Sequence, residues 1–358
     1  MNVRQCFLLI AIILPAFKIT MLPGYLNAEI GRDAWIAVAI SMLADLLILA
    51  CILYVNRKGG MTELLTRLFG KPVATVISLL VVVFMTVSVA LKIQDPLHYM
   101  INMLFDHNEK TAIVLPLALV AGYVGYKSAR SLGRLAEITA IFAVVPAVLS
   151  FAFTSAPMDV NALEPVLVDG FSSLSPIKGV AIWFGDYLPL LFVRLDERSE
   201  KRSGILMLAG LIGTALTVMV FVLFTAVYQG AAPYIPDALV KLARYNVLGS
   251  EVGRLDVVVI FAWLFCVILA VSLVVNAISR ATSEVWQKKG KTIIVTVTGV
   301  MFFVLSLFIG GEESVYALGD VLLIPILIFH LIVPVLVFLC AVFGTRKKEV
   351  SGEKASLA

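Results

Sequence analysis

Residues 34–55 read AWIAVAISMLADLLILACILYV, an apolar run with a single charged side chain, Asp45. A run of about 17–25 apolar residues has the length of a helix that crosses the hydrocarbon core of a bilayer. We mark such runs near 4–28, 34–55, 73–95, 111–126, 135–155, 177–193, 204–228, 255–284, 292–309 and 318–343. The sequence therefore predicts an all-α integral membrane protein with about ten transmembrane helices.

The overall composition also favours a membrane protein. The chain is 61% hydrophobic and 15% charged, with a mean hydropathy of +1.01, whereas soluble domains are typically about 25% charged. The formal charge of +4 comes from basic residues in short clusters between apolar runs, so we predict lipid contacts and no nucleic-acid partner.

No residue pattern indicates catalysis or a metal. Cys6, Cys51, Cys266 and Cys340 lie in apolar segments without paired spacing or neighbouring histidines, unlike zinc or redox motifs. We find no nucleophile–base set and no phosphate-binding loop. The sequence therefore predicts neither an enzyme nor a cofactor.

Basic residues collect in alternate connections between the predicted spans. They are Arg57, Lys58, Arg67 and Lys71, then Lys127, Arg130 and Arg134, then Arg194, Arg198, Lys201 and Arg202, then Lys288, Lys289 and Lys291, and last Arg346, Lys347 and Lys348. The opposite connections are poorer in basic residues, with Lys241 and Arg244 as exceptions. Cytoplasmic loops are enriched in Lys and Arg. With an even number of spans, we expect both termini on the cytoplasmic side of the inner membrane.

The spacing of the spans suggests an internal repeat. Span starts near 34, 73, 111 and 135 recur near 204, 255, 292 and 318 at a nearly constant offset. Five spans in each half give the halves opposite topology, which makes an inverted repeat. We expect one transmembrane domain, 1–343, with repeats at about 4–155 and 177–343, and a charged cytoplasmic tail at 344–358. Short interfacial helices are predicted at 61–70 and 236–249.

Two interrupted helices are the first candidates for a ligand site. Transporters with inverted repeats bind substrate near the bilayer midplane, where broken helices leave backbone groups free. Pro15 and Lys18 lie in the first span, and Gly185, Asp186 and Pro189 lie in the sixth. An ordinary proline kink is the alternative explanation. The corresponding positions favour a binding site made of Pro15, Ala16, Phe17, Lys18, Trp183, Phe184, Gly185, Asp186 and Tyr187, with the aromatic residues as its apolar wall.

Charged residues at the midplane are the second signal, because a lone charge there costs about 2.5–3.5 kcal/mol or more. By depth, Lys18, Asp45, Asp186 and His330 qualify. Lys18 and Asp186 either form a buried ion pair that locks two helices or bind the carboxylate and amine of an amino acid. Asp45 is an alternative partner of Lys18. We interpret His330 as a core histidine with satisfied hydrogen bonds rather than a proton relay.

Further charged residues lie nearer the predicted span ends. They are Lys92, Glu137, Asp256 and Asp320. Long side chains at such depths reach the interface by snorkelling, so we expect these residues to lie at the membrane surface rather than in a site.

Three segments carry a resemblance to a known family. They are Gly31-Arg32-Asp33-Ala34-Trp35, the stretch from Glu63 to Phe69-Gly70-Lys71, and Gly253-Arg254-Leu255-Asp256 with Trp263. With them the chain resembles the B-subunit of spore germinant receptors, a branch of the amino acid/polyamine/organocation transporter superfamily. The resemblance implies a leucine-transporter-type five-plus-five fold with helices one and six unwound around an amino acid site. It also implies an A-subunit membrane protein and a C-subunit lipoprotein as partners in the spore inner membrane.

The first break departs from the superfamily pattern. Leu14-Pro15-Ala16-Phe17-Lys18 stands where a glycine-rich break is usual, which points to a different ligand or to Lys18 in place of a coupling cation.

Our leading hypothesis is a receptor subunit that binds a small germinant, an amino acid. The alternatives are a proton-coupled amino acid permease and an assembly scaffold with a vestigial pocket. In the outer motif we expect Asp33 to cap the second span and Arg32 to reach lipid phosphates or a neighbouring loop.

Overall fold

The computed structural model describes residues 1–101, 110–154, 158–168, 170–193, 195, 201–244, 255–285, 288–309 and 312–343. Throughout these residues the regular structure is helical. The α-helices are α1 Val3–Ile13, α2 Leu22–Ile30, α3 Ala34–Arg57, α4 Met61–Phe69, α5 Lys71–Lys92, α6 Gln94–Tyr99, α7 Lys110–Lys127, α8 Ala129–Thr154, α9 Ser203–Tyr228, α10 Ala238–Arg244, α11 Leu255–Val285, α12 Lys288–Phe308, α13 Glu312–Val321 and α14 Leu323–Leu327.

Five helical segments are long and apolar enough to cross a membrane. They are Leu22–Arg57, Lys71–Tyr99, Ser203–Tyr234, Asp256–Ser283 and Leu323–Phe343. Large apolar side chains such as Leu47, Leu119 and Phe261 are exposed on the outside of the helices, where a soluble protein would place polar groups. Helices satisfy their own backbone hydrogen bonds, as the hydrocarbon core requires. The protein is therefore an all-α membrane protein.

Helix α11 lies at the centre of the packing and contacts α5, α7, α8 and α12. A Cβ atom on Gly125 of α7 would lie 2.6 Å from the Ser272 carbonyl oxygen of α11. Only glycine permits this approach of two backbones, a common device in membrane helix pairs. Asn276 of α11 donates to the Gly125 carbonyl oxygen at 2.8 Å, which fixes the same contact.

Several helices differ from the predicted spans. The sixth region is 3-10 helix at Phe171–Trp183 and Leu188–Phe192 rather than α-helix, because two prolines and Gly185 disrupt the α-helical pattern. The third span does not end near 95, since helix resumes as α6. The last region contains a π-helical turn, Ile328–Ile332. Helices α4 and α10 lie within the segments 61–70 and 236–249, and the tail at 344–358 lies outside the described residues.

Candidate ligand site at two helix breaks

The first break separates α1 from α2. Helix α1 ends at Ile13, and helical structure resumes at Leu22. The freed carbonyl groups are bonded by side chains, since the Lys18 ammonium donates to the Leu14 oxygen at 3.1 Å and the Trp263 indole to the Ala16 oxygen at 2.7 Å. Pro15 thus marks an open turn whose carbonyl groups bond to polar side chains.

The second break lies between the two 3-10 segments of the sixth region. Gly185 has a φ of +78°, a conformation that side chains disfavour. A Cβ atom there would lie 2.2 Å from His330 Cγ. The Gly185 N–H donates to Asp45 Oδ1 at 2.8 Å. Both the backbone conformation and the space therefore require glycine, and Asp45 holds the break against α3.

Four charged side chains meet between the two breaks. Asp186 forms ion pairs with Lys18 and with Lys92, whose ammonium lies 2.5 Å from Asp186 Oδ1. Asp45 Oδ2 lies 4.0 Å from the Lys18 ammonium and has no hydrogen-bond partner among the described residues. All four side chains are at least nine-tenths buried. Two ammonium groups and two carboxylates give a neutral cluster, which avoids the cost of an unpaired buried charge.

Lys92 does not lie at the membrane surface, where the sequence analysis placed it. Its predicted place at a span end is wrong, because the side chain is buried and reaches the second break, where its ammonium also lies 3.4 Å from the Phe184 carbonyl oxygen. Asp256 is likewise buried and bonds to Arg244 at 2.9 Å. Glu137 does lie at a more exposed site, paired with Arg4 at 3.2 Å. The Asp320 side chain lies outside the described residues.

A small cavity adjoins the charged cluster and encloses about 30 Å³, room for two or three water-sized groups. Its polar lining includes Lys92, Asp186 and Ser88, and the rest is mainly apolar. The walls come from the first break, α5, the second break, α11 and the π-helical turn. A mainly apolar lining with a few polar groups is typical of small-molecule sites.

The predicted ligand-binding residues divide into two groups. Phe17, Gly185 and Asp186 line the cavity. Lys18 lies behind Asp186, with its ammonium 5.5 Å from the centre of the Phe184 ring. The lining does not include Pro15, Ala16, Lys18, Trp183, Phe184 or Tyr187.

Two of the aromatic residues contact other helices. The Trp183 indole donates to Asp95 at 3.2 Å, and its ring stacks on Tyr316 with centroids 5.3 Å apart. A Cβ atom on Gly210 would lie 3.3 Å from the Tyr187 hydroxyl oxygen, so this side chain reaches α9. These rings hold the second break from outside the cavity.

His330 lines the cavity from the π-helical turn. Its ring contacts Phe84 edge-on, with centroids 5.0 Å apart, and it is buried. Among the described residues, His330 Nδ1 has no hydrogen-bond partner. The expectation of a fully satisfied core histidine is therefore wrong, and π-turns frequently mark functional sites.

The outer motif joins the start of α3 to a distant loop. Arg32 donates to the Glu164 carbonyl oxygen, and both Asp33 oxygens accept from the Leu167 N–H at 3.1 Å. Asp33 makes no side-chain cap on α3, so the expected cap is wrong and the expected loop contact is present. Gly31 ends α2 with a φ of +75°. The Trp35 indole N–H lacks a partner in the described part of the chain, and the predicted motif residues Gly253 and Arg254 lie outside that part.

The fold and the site define a class: a helical membrane protein with two broken helices around a buried, charge-neutral cavity. A family model described as "Spore germination protein" matches residues 1–313. The chain belongs to this family of spore germination permeases. A search of curated proteins found no match.

Proposed function

We propose that this chain is the permease-like subunit of a spore germinant receptor and that it binds a small germinant, an amino acid, in the cavity between the helix breaks. The cavity is the main support for the proposal, because Lys92 and Asp186 line it and the rest of the lining is mainly apolar, with Ser88 and His330 as polar exceptions. An ammonium and a carboxylate at hydrogen-bonding distance match the two charged ends of an amino acid.

Binding changes the existing contacts of the cluster. The ligand carboxylate replaces Asp186 as a partner of Lys92, and the ligand ammonium takes the Asp186 oxygen that Lys92 releases. Lys18 keeps its own contact with Asp186, so no charge is left unpaired. The cavity has room for two or three water-sized groups, less than a whole amino acid, so binding requires the cavity to widen.

The same exchange supplies a signal. The Lys92–Asp186 ion pair connects α5 to the second break. A ligand that separates the two side chains breaks this connection. A ligand shifts a conformational equilibrium only through contacts that differ between the states. We infer that germinant binding favours an arrangement in which α5 and the second break move apart, and that this change triggers germination.

The remaining features of the proposal come from the sequence. We infer about ten spans in a five-plus-five inverted repeat, one transmembrane domain over 1–343 and a tail at 344–358. We place both termini in the cytoplasm and the protein in the spore inner membrane, beside an A-subunit and a C-subunit lipoprotein. Span spacing, alternate basic loops and breaks at corresponding positions support this arrangement.

A proton-coupled amino acid permease is the second candidate. The observation in its favour is His330, a titratable side chain that lines the cavity and whose Nδ1 lacks a partner among the described residues. Uptake of labelled alanine into proteoliposomes with an imposed pH gradient separates the two candidates. A receptor without transport binds alanine but accumulates none.

Germination assays test the receptor proposal. A deletion strain should lose its response to one amino acid of a panel, and the wild-type gene should restore it. Ser88→Leu fills the cavity and should raise the germinant concentration required by tenfold or more, on the order of what a misfit side chain costs. Thr86→Leu is the matched control on α5, because Thr86 does not line this cavity. A normal response of Ser88→Leu at normal abundance would contradict the proposal.

A further inference from the structure

A second cavity lies directly behind the first, between α5, α7, α11 and α12. It encloses about 70 Å³ and is mainly apolar. Val89 of α5 and Val274 of α11 line both cavities. The two valine side chains therefore form a partition between the candidate ligand site and an apolar space of larger volume.

We propose that Val89 and Val274 set the maximum side-chain length of the ligand, which is an amino acid with a short apolar side chain. This inference rests on the proposed function. Residues three apart share a helix face, so Val89 lies on the same side of α5 as Lys92, one turn away. A ligand whose carboxylate bonds to Lys92 then directs its side chain at the partition.

The second cavity has room for a longer alkyl chain. Its volume of about 70 Å³ is more than twice that of the first cavity. The two threonines in its lining satisfy their hydroxyl groups on their own helices, Thr86 with the Val82 oxygen at 2.9 Å and Thr298 with the Ile294 oxygen at 2.8 Å. They offer no free hydroxyl hydrogen to a ligand. The space therefore suits methylene groups and excludes polar side chains.

Removing part of the partition joins the two spaces. Val89→Ala and Val274→Ala each delete two methyl groups between the cavities, so the side chain of a longer ligand can enter the second one. In an apolar pocket one methylene changes recognition by about 10–200-fold. We therefore expect each variant to accept side chains that the wild type rejects.

The experiment measures dissociation constants of purified full-length protein for glycine, alanine, 2-aminobutyrate, norvaline and norleucine. Wild type should bind the short members and lose at least about tenfold in affinity at norvaline or norleucine. Val89→Ala and Val274→Ala should each lower the ratio of the norleucine to the alanine dissociation constant by about tenfold or more. Two separate variants keep the test available if one of them fails to accumulate.

Two controls isolate the partition. Val271→Ala enlarges only the second cavity and should leave the length limit unchanged. Adding Val271→Leu to Val89→Ala refills part of the second cavity and should reduce the gain for norleucine. An unchanged length limit in both partition variants, with alanine bound normally, would overturn this inference alone. Absence of binding of every amino acid to wild type and variants would overturn the proposed function as well.

Discussion

Lys18→Met leaves three charged groups in the cluster, Lys92, Asp186 and Asp45. Asp186 keeps its contact with Lys92 at 2.5 Å, but Asp45 loses its nearest counter-charge. Asp186→Asn removes the carboxylate that both lysines contact. Breaking a buried pair costs about 3–5 kcal/mol, and we expect Asp186→Asn at the upper end because two contacts are lost at once.

Two double variants separate the contributions of the individual ion pairs to stability. Lys18→Met with Asp45→Asn removes one charge of each sign and leaves the Lys92–Asp186 contact intact, while the asparagine oxygen still accepts from the Gly185 N–H. This double variant should recover most of the stability lost in Lys18→Met. Lys18→Met with Asp186→Asn should recover less, because Lys92 then has no carboxylate in contact.

The assay is membrane abundance together with the thermal unfolding midpoint of the detergent-solubilised protein. A loss of about 3–5 kcal/mol is a large part of the 5–15 kcal/mol stability of a typical domain. The Asp186→Asn variant should therefore be scarce and unfold at lower temperature. Additive effects of Lys18→Met and Asp45→Asn would show that the residues do not interact. Equal recovery in both double variants would refute the assignment of Lys92 as a partner of Asp186.

Other predictions address the breaks, the outer motif and the topology. Gly185→Ala places a side chain on a residue with a φ of +78° and against the His330 ring. The backbone conformation alone should cost about 1–2 kcal/mol of stability. Adding His330→Ala removes the clash, so it should restore part of the lost thermal stability but not all of it. Asp33→Ala removes the hydrogen bonds that both carboxylate oxygens accept from the Leu167 N–H. The free energy of unfolding should fall by about 1.5–3 kcal/mol, and membrane abundance should fall with it. The germinant concentration required for germination should stay the same. Cysteines placed at 160–168 should be labelled from outside intact cells, and those at 198–202 should be protected; the reverse result would contradict the topology.

Sequence reasoning located the breaks but not all of their contacts. Pro15 and Gly185 have local effects on the backbone, so their positions follow from the sequence. Lys18 and Asp186 followed from the cost of charge at the midplane. Lys92 was missed because the predicted span ends near 95, whereas helix α6, Gln94–Tyr99, continues past that point.

Other contacts depend on distant segments and leave no local signal. The directions of Trp183 and Tyr187 are set by Asp95, Tyr316 and Gly210, none of which a helical period relates to them. Asp33 bonds to a loop more than a hundred residues away rather than capping its own helix, as its sequence position suggested. The space behind the partition arises from how four helices meet, which composition and hydropathy do not encode.

Both the receptor and the permease candidates require that the cavity between the breaks binds the ligand. Equilibrium binding of labelled alanine to purified full-length protein tests it most directly, with Ser88→Leu and Thr86→Leu measured in parallel. The two leucines lie on the same helix, but the first fills the candidate site and the second fills the neighbouring apolar cavity. We expect saturable binding to wild type and to Thr86→Leu, with affinity reduced by about tenfold or more in folded Ser88→Leu. Equal alanine affinity in all three folded proteins would contradict it.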